Sequence, residues 1–376
     1  MQMKKIVFLL VFMGLAVISR AQSAPGFAGV DDWLQQNVKE MGGRVLLVVY
    51  KGGKVVYSQS VDEMSRRQKM VNNYIARRQG KKANNEDYTL ATRQPIASCS
   101  KWLSAALVMT FVDERKLDLS DTVGKYLPVL SLHGKGGITV RQCLSHLTGI
   151  KEPPLKESLK EMKNTGSMDD AIAAIAEMPM EGAPGTVFHY SNAGLQIAGA
   201  ILEKLSGKSF ETLFAERIAG PLGLKDTDFG KGRVAWPAGG ASSTPEDYMK
   251  FLVMILDKGI YRGVRVLSEK SVAEMQVNRI GSGVRIGYTP AEAAGTGYGY
   301  GEWVMGKPGA GDMGAAKDGM SGGGIFVSSP GLFGSFPWVD NERGYCAFLM
   351  TFYISGDKGK QERYYALKQK VDAALR

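Results

Sequence analysis

The chain has 376 residues, three cysteines, three histidines and a formal net charge of +10. An odd number of cysteines excludes a fully paired disulfide framework, and the histidines lack the spacing of metal ligands, so neither a zinc site nor another cofactor is expected. The length exceeds that of a usual single domain, but no linker or internal repeat divides the sequence. We therefore expect two interleaved lobes.

Residues 1–21 have the features of a secretory signal peptide. Two lysines precede a 13-residue apolar stretch, and small residues mark a cleavage site near Ala21. The apolar stretch is too short to span a bilayer, and no later one reaches membrane length. Removal of this segment takes away three positive charges and leaves +7. We expect a periplasmic or secreted protein without a transmembrane segment.

A predicted β-hairpin is followed by a basic segment. Residues 44–50 and 55–57 are strand-like and flank Gly52-Gly53, which is typical of a tight turn. Residues 65–83 then carry seven cations and no acid. Nucleic acid would suit such a segment, but export argues against this partner. The interpretation we favour is a solvated helical insertion; attraction of anionic envelope material is the alternative. Its apolar residues are then expected to face the protein body: Met70, Val71, Tyr74 and Ile75.

Ser98 and Lys101 stand at the start of a nearly continuous apolar stretch, residues 102–112, which predicts a buried helix. Residues three apart share a helix face, so a serine nucleophile and its proton acceptor can meet there. Burial lowers the pKa of a lysine, and the helix N-terminus favours developing negative charge. The alternative is a capping serine followed by an ordinary surface lysine. A second Ser-x-x-Lys match begins at Ser355, in a loop where no helix holds the pair together.

Tyr190-Ser191-Asn192 is the single Tyr-x-Asn of the chain and precedes a predicted helix. A phenol close to Lys101 and Lys317 would have its pKa lowered by both charges and could act as a general base. A tyrosine that only packs at a helix start is the alternative interpretation.

The segment from Lys317 to Gly323 leads into a predicted strand. Its glycines can bring backbone N–H groups close to a substrate carbonyl. It also contains Gly-x-Ser-x-Gly around Ser321, the nucleophile motif of α/β-hydrolases. That fold needs a histidine after the serine, and none follows His189, so this alternative is excluded.

The last third of the chain mirrors the first in its β character. Residues 323–327 and 344–350 are strand-like, and a helix is expected over 361–375. We predict an α+β fold (an α/β sandwich) with one antiparallel sheet from both chain ends, flanked by helices, and an inserted helical lobe. The expected boundaries are a sheet lobe at about 22–97 and 300–376, and a helical lobe at about 98–299.

In this order, the three motifs resemble those of the serine β-lactamase and penicillin-binding-protein superfamily. The closer similarity is to its class C β-lactamase-like branch, which includes family VIII carboxylesterases, and it extends over nearly the whole mature chain. Further similar segments are 117–123, 144–150, 237–240, 243–247 and 298–301. The resemblance implies a β-lactamase/transpeptidase-like fold.

The resemblance also implies a role for each motif residue. Ser98 would be the acylated nucleophile, and Lys101 and Tyr190 would share the proton transfers, with the identity of the base left open. Asn192 would bind the substrate, and His146 would be structural. In the third motif, Lys317 would supply positive charge, and the backbone N–H of Met320 would form the oxyanion hole together with that of Ser98. Asp318 and Gly319 would line the cleft between them.

Asp318 departs from the family pattern, in which a hydroxyl residue commonly helps to hold the carboxylate of a β-lactam or peptide. An acid that faces the cleft repels a carboxylate, whereas one that points away has no such effect. We therefore predict an exported serine hydrolase of esterase type on uncharged acyl substrates, acting through an acyl-enzyme. Alternatives are a class C-type β-lactamase or D-alanyl carboxypeptidase, with amide or β-lactam substrates, and a non-catalytic envelope binding or sensor protein.

Overall fold

The structure is a computed structural model that describes residues 26–78, 80, 83–154, 157–158, 165–230, 232, 234–306, 326–353 and 359–376. The expected signal peptide lies outside these ranges. The helices are α1 Ala28–Asn37, α2 Arg66–Arg78, α3 Ser100–Asp113, α4 Pro128–Leu132, α5 Val140–Leu144, α6 Met168–Glu177, α7 Ala193–Ser206, α8 Phe210–Phe214, α9 Gly220–Leu222, α10 Pro245–Leu256, α11 Glu269–Met275 and α12 Lys360–Ala374. The strands are β1 Arg44–Lys51, β2 Lys54–Asp62, β3 Gln94–Pro95, β4 Val187–His189, β5 Ser242–Ser243, β6 Ile260–Tyr261, β7 Val264–Arg265, β8 Arg285–Tyr288, β9 Gly297–Tyr298, β10 Trp303–Met305, β11 Phe326–Ser328, β12 Phe336–Asp340 and β13 Tyr345–Thr351.

Among the described residues, seven strands form one antiparallel sheet in the order β2-β1-β13-β12-β11-β10-β9. Strand β1 lies between β2 and β13, with Val45 opposite Thr351. The predicted antiparallel sheet from both ends of the chain is therefore confirmed. The predicted hairpin is also found: Gly52 and Gly53 both have positive φ, the conformation that a two-residue hairpin turn requires. Strand β2 continues five residues beyond the predicted end at Tyr57.

Helices cover both faces of the sheet, which explains why its central strands are apolar without alternation. Along β1, Leu46 and Val48 pack into the same core cluster as helices α3 and α10, while Val45, Leu47 and Val49 pack with α1 and α12. Helix α3 is buried along nearly its whole length, from Ser100 to Phe111, as its composition predicts. This buried helix is the element that carries the first motif.

The basic segment forms helix α2, but its orientation differs from the expected one. The prediction that its apolar side chains face the body is wrong for the three that the structure describes; the Ile75 side chain lies outside the described part. Asn72 occupies the inner side instead, because its amide donates to the backbone of Asn84, at 2.8 Å. The exposed fractions are 68%, 50% and 61% for Met70, Val71 and Tyr74.

Within the part of the chain that the structure describes, every helix is too short or too polar to span a bilayer. The three cysteines are all buried free thiols.

A buried ion cluster ties α12 to the sheet. Lys368 donates to Asp340 at 2.7 Å and to Asp372 at 2.9 Å, and Tyr345 donates to Asp372 at 2.7 Å. Asp340 is completely buried, and Arg343 supplies its other charged partner at 3.3 Å. The charge of Asp340 is thus compensated mainly from α12.

We expect Lys368→Met to lower the free energy of unfolding by about 3 kcal/mol, because it leaves the buried Asp340 carboxylate with too little compensating charge. Urea denaturation followed by circular dichroism measures this. Lys370→Met, at an exposed position of the same helix, is the matched control and should change stability by less than about 0.5 kcal/mol. Equal midpoints for the two variants would contradict the role assigned to the cluster.

Candidate active site

Ser98 lies in a tight turn, Ala97–Cys99, that leads directly into α3. Ala97 adopts a φ of +47°, a left-handed conformation that costs a residue other than glycine roughly 1 kcal/mol. The turn is held on both sides, since Ser329 Oγ lies 3.1 Å from the Ser98 carbonyl oxygen and Tyr248 donates to the Cys99 carbonyl at 2.8 Å. These contacts leave the Ser98 side chain half-buried at the start of the helix.

Lys101 reaches back from the first turn of α3 to the Ser98 side chain. Its Nζ lies 3.2 Å from Ser98 Oγ, 3.3 Å from Asn192 Oδ1 and 2.8 Å from the carbonyl oxygen of Ala238. The side chain is only 1% exposed, and burial lowers its pKa to about 7, against the opposing influence of the Glu152 charge. A neutral amine can donate to the two carbonyl-type oxygens and still offer its lone pair to the Ser98 hydroxyl. The arrangement therefore suits proton acceptance from Ser98.

Tyr190 follows β4 and lies among aromatic rings. The centroid of its ring is 5.1 Å from that of Trp303 and 4.7 Å from that of His146. Lys101 Nζ lies 4.7 Å from the centroid of the Tyr190 ring. The Ser98 side chain acts to lower the pKa of the phenol, so the two groups lie near each other. Desolvation among these groups raises the pKa of the Tyr190 phenol. The expectation that nearby cations lower this pKa is therefore wrong in the surroundings that the structure describes, which do not include Lys317. Tyr190 is therefore protonated at neutral pH.

His146 supports the Tyr190 turn from behind. Its ring accepts from the backbone N–H of Ser191 at Nδ1, 3.4 Å away, and its Nε2 lies 3.0 Å from the Tyr298 hydroxyl. Burial lowers its pKa well below the usual value, and the Lys101 charge acts in the same direction. A neutral ring with the proton on Nε2 satisfies both contacts.

Asn192 begins helix α7 and connects Lys101 to Glu152. Its Oδ1 accepts from Lys101, while its Nδ2 donates to Glu152 Oε1 at 2.9 Å and its backbone N–H donates to Glu152 Oε2. The Ser158 hydroxyl donates to the same carboxylate. Glu152 thus fixes which way the amide faces, and it leaves one amide N–H of Asn192 for a substrate. Sequence reasoning missed Glu152, because it lies 40 residues from its partner and follows no spacing rule.

A cavity of about 200 Å³ adjoins Asn192 and Glu152. Gln196 and Trp236 add polar atoms, and in the described part of the chain the Gln196 Oε1 and Trp236 Nε1 atoms have no hydrogen-bond partner. Its remaining wall is mostly apolar and includes Ala171, Ala174, Ile175, Met178, Val234 and Ala235. An apolar group with a polar end fits such a space.

The structure brings together Ser98, Lys101, Tyr190 and Asn192. The third motif, Lys317, Asp318, Gly319 and Met320, lies outside the described residues, as do Ser321 and Ser355. The oxyanion-hole N–H of Met320 and the orientation of Asp318 therefore remain predictions from the sequence.

A family model described as Beta-lactamase matches residues 30–371. The chain belongs to the beta-lactamase family. Its fold is the β-lactamase/transpeptidase-like fold, and members of the family are serine hydrolases, among them esterases and penicillin-binding proteins.

Three similar proteins illustrate the range of relatives. Protein Rv1367c of Mycobacterium tuberculosis is 27% identical over an alignment of 237 positions, which covers 49% of this chain and 59% of that protein. The chain thus spans less than two thirds of that relative's length. A protein of Bacteroides dorei DSM 17855, provisionally described as a beta-lactamase, is 26% identical with a TM-score of 0.72, over 93% of this chain and 98% of that one. A family VIII carboxylesterase shares the fold with a sequence identity of 20% and a TM-score of 0.67. The match covers 93% of this chain and 99% of the carboxylesterase.

We expect kcat/KM for a neutral aryl ester to rise with pH through about 7, because Lys101 has to lose its proton before it can accept one from Ser98. Glu152→Gln removes a negative charge that raises the pKa of Lys101. The rising limb of the plot of kcat/KM against pH should therefore move to lower pH by roughly half a unit or more. The pH profiles of both proteins measure the shift.

Glu269→Gln is the control, since it removes an exposed carboxylate that pairs with Lys258. Its pH limb should coincide with that of the wild type. A limb that moves equally in both variants, or in neither, would contradict the coupling between Glu152 and Lys101.

Proposed function

We propose that this protein is a serine hydrolase of esterase type that forms an acyl-enzyme on Ser98 with uncharged acyl substrates. The observation that carries the proposal is the Lys101 amine, 3.2 Å from Ser98 Oγ, with its pKa lowered to about 7. A nucleophile beside a base of near-neutral pKa is the arrangement that acyl transfer at neutral pH requires.

In the acylation step, Ser98 Oγ bonds to the acyl carbon while its proton passes to the neutral Lys101 amine. The resulting ammonium is stabilised by Asn192 Oδ1 and the Ala238 carbonyl, which already lie in contact with it. When the tetrahedral intermediate collapses, the acyl–oxygen bond of the ester breaks and the leaving alkoxide takes a proton. Water then attacks the acyl carbon and gives a proton to Lys101. The bond between that carbon and Ser98 Oγ breaks, the carboxylic acid leaves, and Ser98 Oγ takes the proton back from Lys101.

Lys101 is the base in this proposal, and Tyr190 is a proton relay. The raised pKa of the phenol keeps it protonated, and its position near Ser98 lets it serve the leaving group. It can therefore donate to the alkoxide and be reprotonated by Lys101. The proposal thus chooses Lys101 over Tyr190 as the base, an alternative that the sequence leaves open.

Two features support an uncharged substrate. The cavity beside Asn192 is mostly apolar, which suits an acyl chain or alcohol group. Glu152 places a negative charge at its wall, so a carboxylate in that space would be repelled. Asp318 would add a second negative charge if it faces the cleft. Likeness in fold to a family VIII carboxylesterase agrees with an esterase activity.

We also propose that the protein is exported and that residues 1–21 are removed near Ala21. The basis is the sequence of that segment, with its lysines, apolar stretch and small residues.

Ser98→Ala should abolish both ester hydrolysis and covalent labelling by a fluorophosphonate, because the nucleophilic oxygen is gone. Lys101→Ala and Tyr190→Phe should each lower kcat by on the order of 10²-fold or more, the range expected for lost acid–base catalysis. Mass spectrometry of the labelled peptide identifies the modified serine.

Ser321→Ala and Ser355→Ala are matched controls, since each serine belongs to a competing motif. Both should be labelled like the wild type. Labelling of Ser98→Ala at the wild-type rate would overturn the nucleophile assignment, and a wild type that is never labelled would favour a binding or sensor protein.

Asp318→Thr should raise kcat/KM for the anionic cephalosporin nitrocefin relative to a neutral aryl ester. A carboxylate about 4 Å from Asp318 would meet about 4 kcal/mol of repulsion at an effective dielectric near 20, and a quarter of that is about fivefold in affinity. The measurement is the ratio of the two kcat/KM values at low salt, in the wild type and in the variant.

An unchanged ratio would mean that the Asp318 charge does not reach the substrate. Faster turnover of nitrocefin than of the ester by the wild type would favour the β-lactamase alternative.

A further inference from the structure

Helix α2 presents apolar and cationic side chains on one outward face. The apolar members, Met70, Val71 and Tyr74, are 68%, 50% and 61% exposed. Arginines lie before and after them on the same exposed side: Arg66, Arg67, Arg77 and Arg78. We call these seven residues the outward face of α2.

The orientation of this helix is set by polar contacts on its opposite side. Asn72 Nδ2 donates to the Asn84 carbonyl at 2.8 Å and to Asn85 Oδ1 at 2.7 Å, and Asn85 Nδ2 donates to Asn73 Oδ1 at 2.7 Å. At the N-terminus, Ser65 and Gln68 cap each other reciprocally. These bonds hold the inner side against the returning chain, so the apolar residues stay turned away from the body.

The charge of the outward face is uncompensated along the helix. No acidic residue occurs between Arg66 and Arg78 in the sequence. The preceding acid, Glu63, already pairs with Lys39 at 3.0 Å. Arg78 lies over the Tyr74 ring, with 5.7 Å from its guanidinium carbon to the ring centroid, so cationic and apolar groups form one continuous surface.

We propose that the outward face of α2 binds the surface of an anionic lipid bilayer. Arginines at both ends of the face can pair with lipid phosphates, while Met70, Val71 and Tyr74 enter the boundary between headgroups and acyl chains. A nucleic acid backbone would satisfy the arginines but offers nothing to the exposed methionine and valine. A bilayer surface supplies both kinds of contact in one plane, which matches the mixed composition of this face.

Vesicle sedimentation tests the proposal, with phosphatidylcholine vesicles that contain one quarter phosphatidylglycerol and with pure phosphatidylcholine vesicles. Binding should occur on the first at low salt, weaken at 0.5 M NaCl, and be much weaker on the second. Replacing the four arginines of the outward face by glutamine should weaken binding on the order of tenfold or more. The matched control replaces four exposed lysines elsewhere on the protein by glutamine and so removes the same amount of charge: Lys54, Lys225, Lys270 and Lys370.

A second variant replaces Met70, Val71 and Tyr74 by serine and keeps every charge. It should also weaken binding, since part of the affinity comes from apolar burial. All variants should keep the wild-type melting temperature, because these side chains are exposed. Insertion is seen directly with Met70→Cys carrying an environment-sensitive dye, whose emission should shift to the blue with anionic vesicles; the native thiols are buried.

No binding to the anionic vesicles at low salt would overturn the proposal. Equal loss in the lysine control would overturn it as well, because charge alone would then explain binding. Full vesicle binding by the serine variant, together with tight binding of wild type to polyglutamate, would replace the lipid by an acidic protein as the partner.

Discussion

The amine of Lys101 is buried inside a helix whose other residues are nearly all apolar, and the site is arranged around that amine. An ammonium without partners would be too costly at 1% exposure. Three oxygens compensate it: that of the nearby Ser98, and those of Asn192 and Ala238 from distant parts of the chain. The start of α7 and the loop before β5 are therefore both fixed relative to α3 by one side chain. Burial lowers the pKa of the amine to about 7.

This arrangement makes the site sensitive to small changes in its surroundings. Glu152 raises the pKa of Lys101 while burial lowers it, so the final value is a balance of two opposing influences. Glu152 also orients the amide of Asn192, which is one of the acceptors of the amine. A single carboxylate thus affects both the charge and the geometry of the proton acceptor. The fold is shared with a carboxylesterase at 20% identity, so features of this local kind are where members of the family can differ.

The sequence predicts the features that depend on local pattern. Ser98 and Lys101 lie three apart where a tight turn leads into helix α3, and Gly52-Gly53 lies between two strands. In both cases sequence spacing alone brings the residues together. Features that depend on tertiary packing were missed. Glu152 meets Asn192 across 40 residues, and the pKa of Tyr190 rises because rings from separate segments desolvate it. The predicted orientation of α2 was also wrong, because amide contacts with residues 84–85 outweigh the burial of three apolar side chains.

The pairing of β1 with β13 has a consequence for how the protein folds. Val45 and Thr351 lie opposite each other on adjacent strands, although nearly the whole helical region separates them in the chain. Such distant pairing makes folding slow, since the entropy of closing a very long loop has to be lost before the contact forms. The hairpin β1–β2 can form early from local residues, but one edge of β1 then stays unpaired until β13 arrives. During that interval an apolar strand with free backbone groups is open to other chains, so association between incompletely folded copies competes with correct folding.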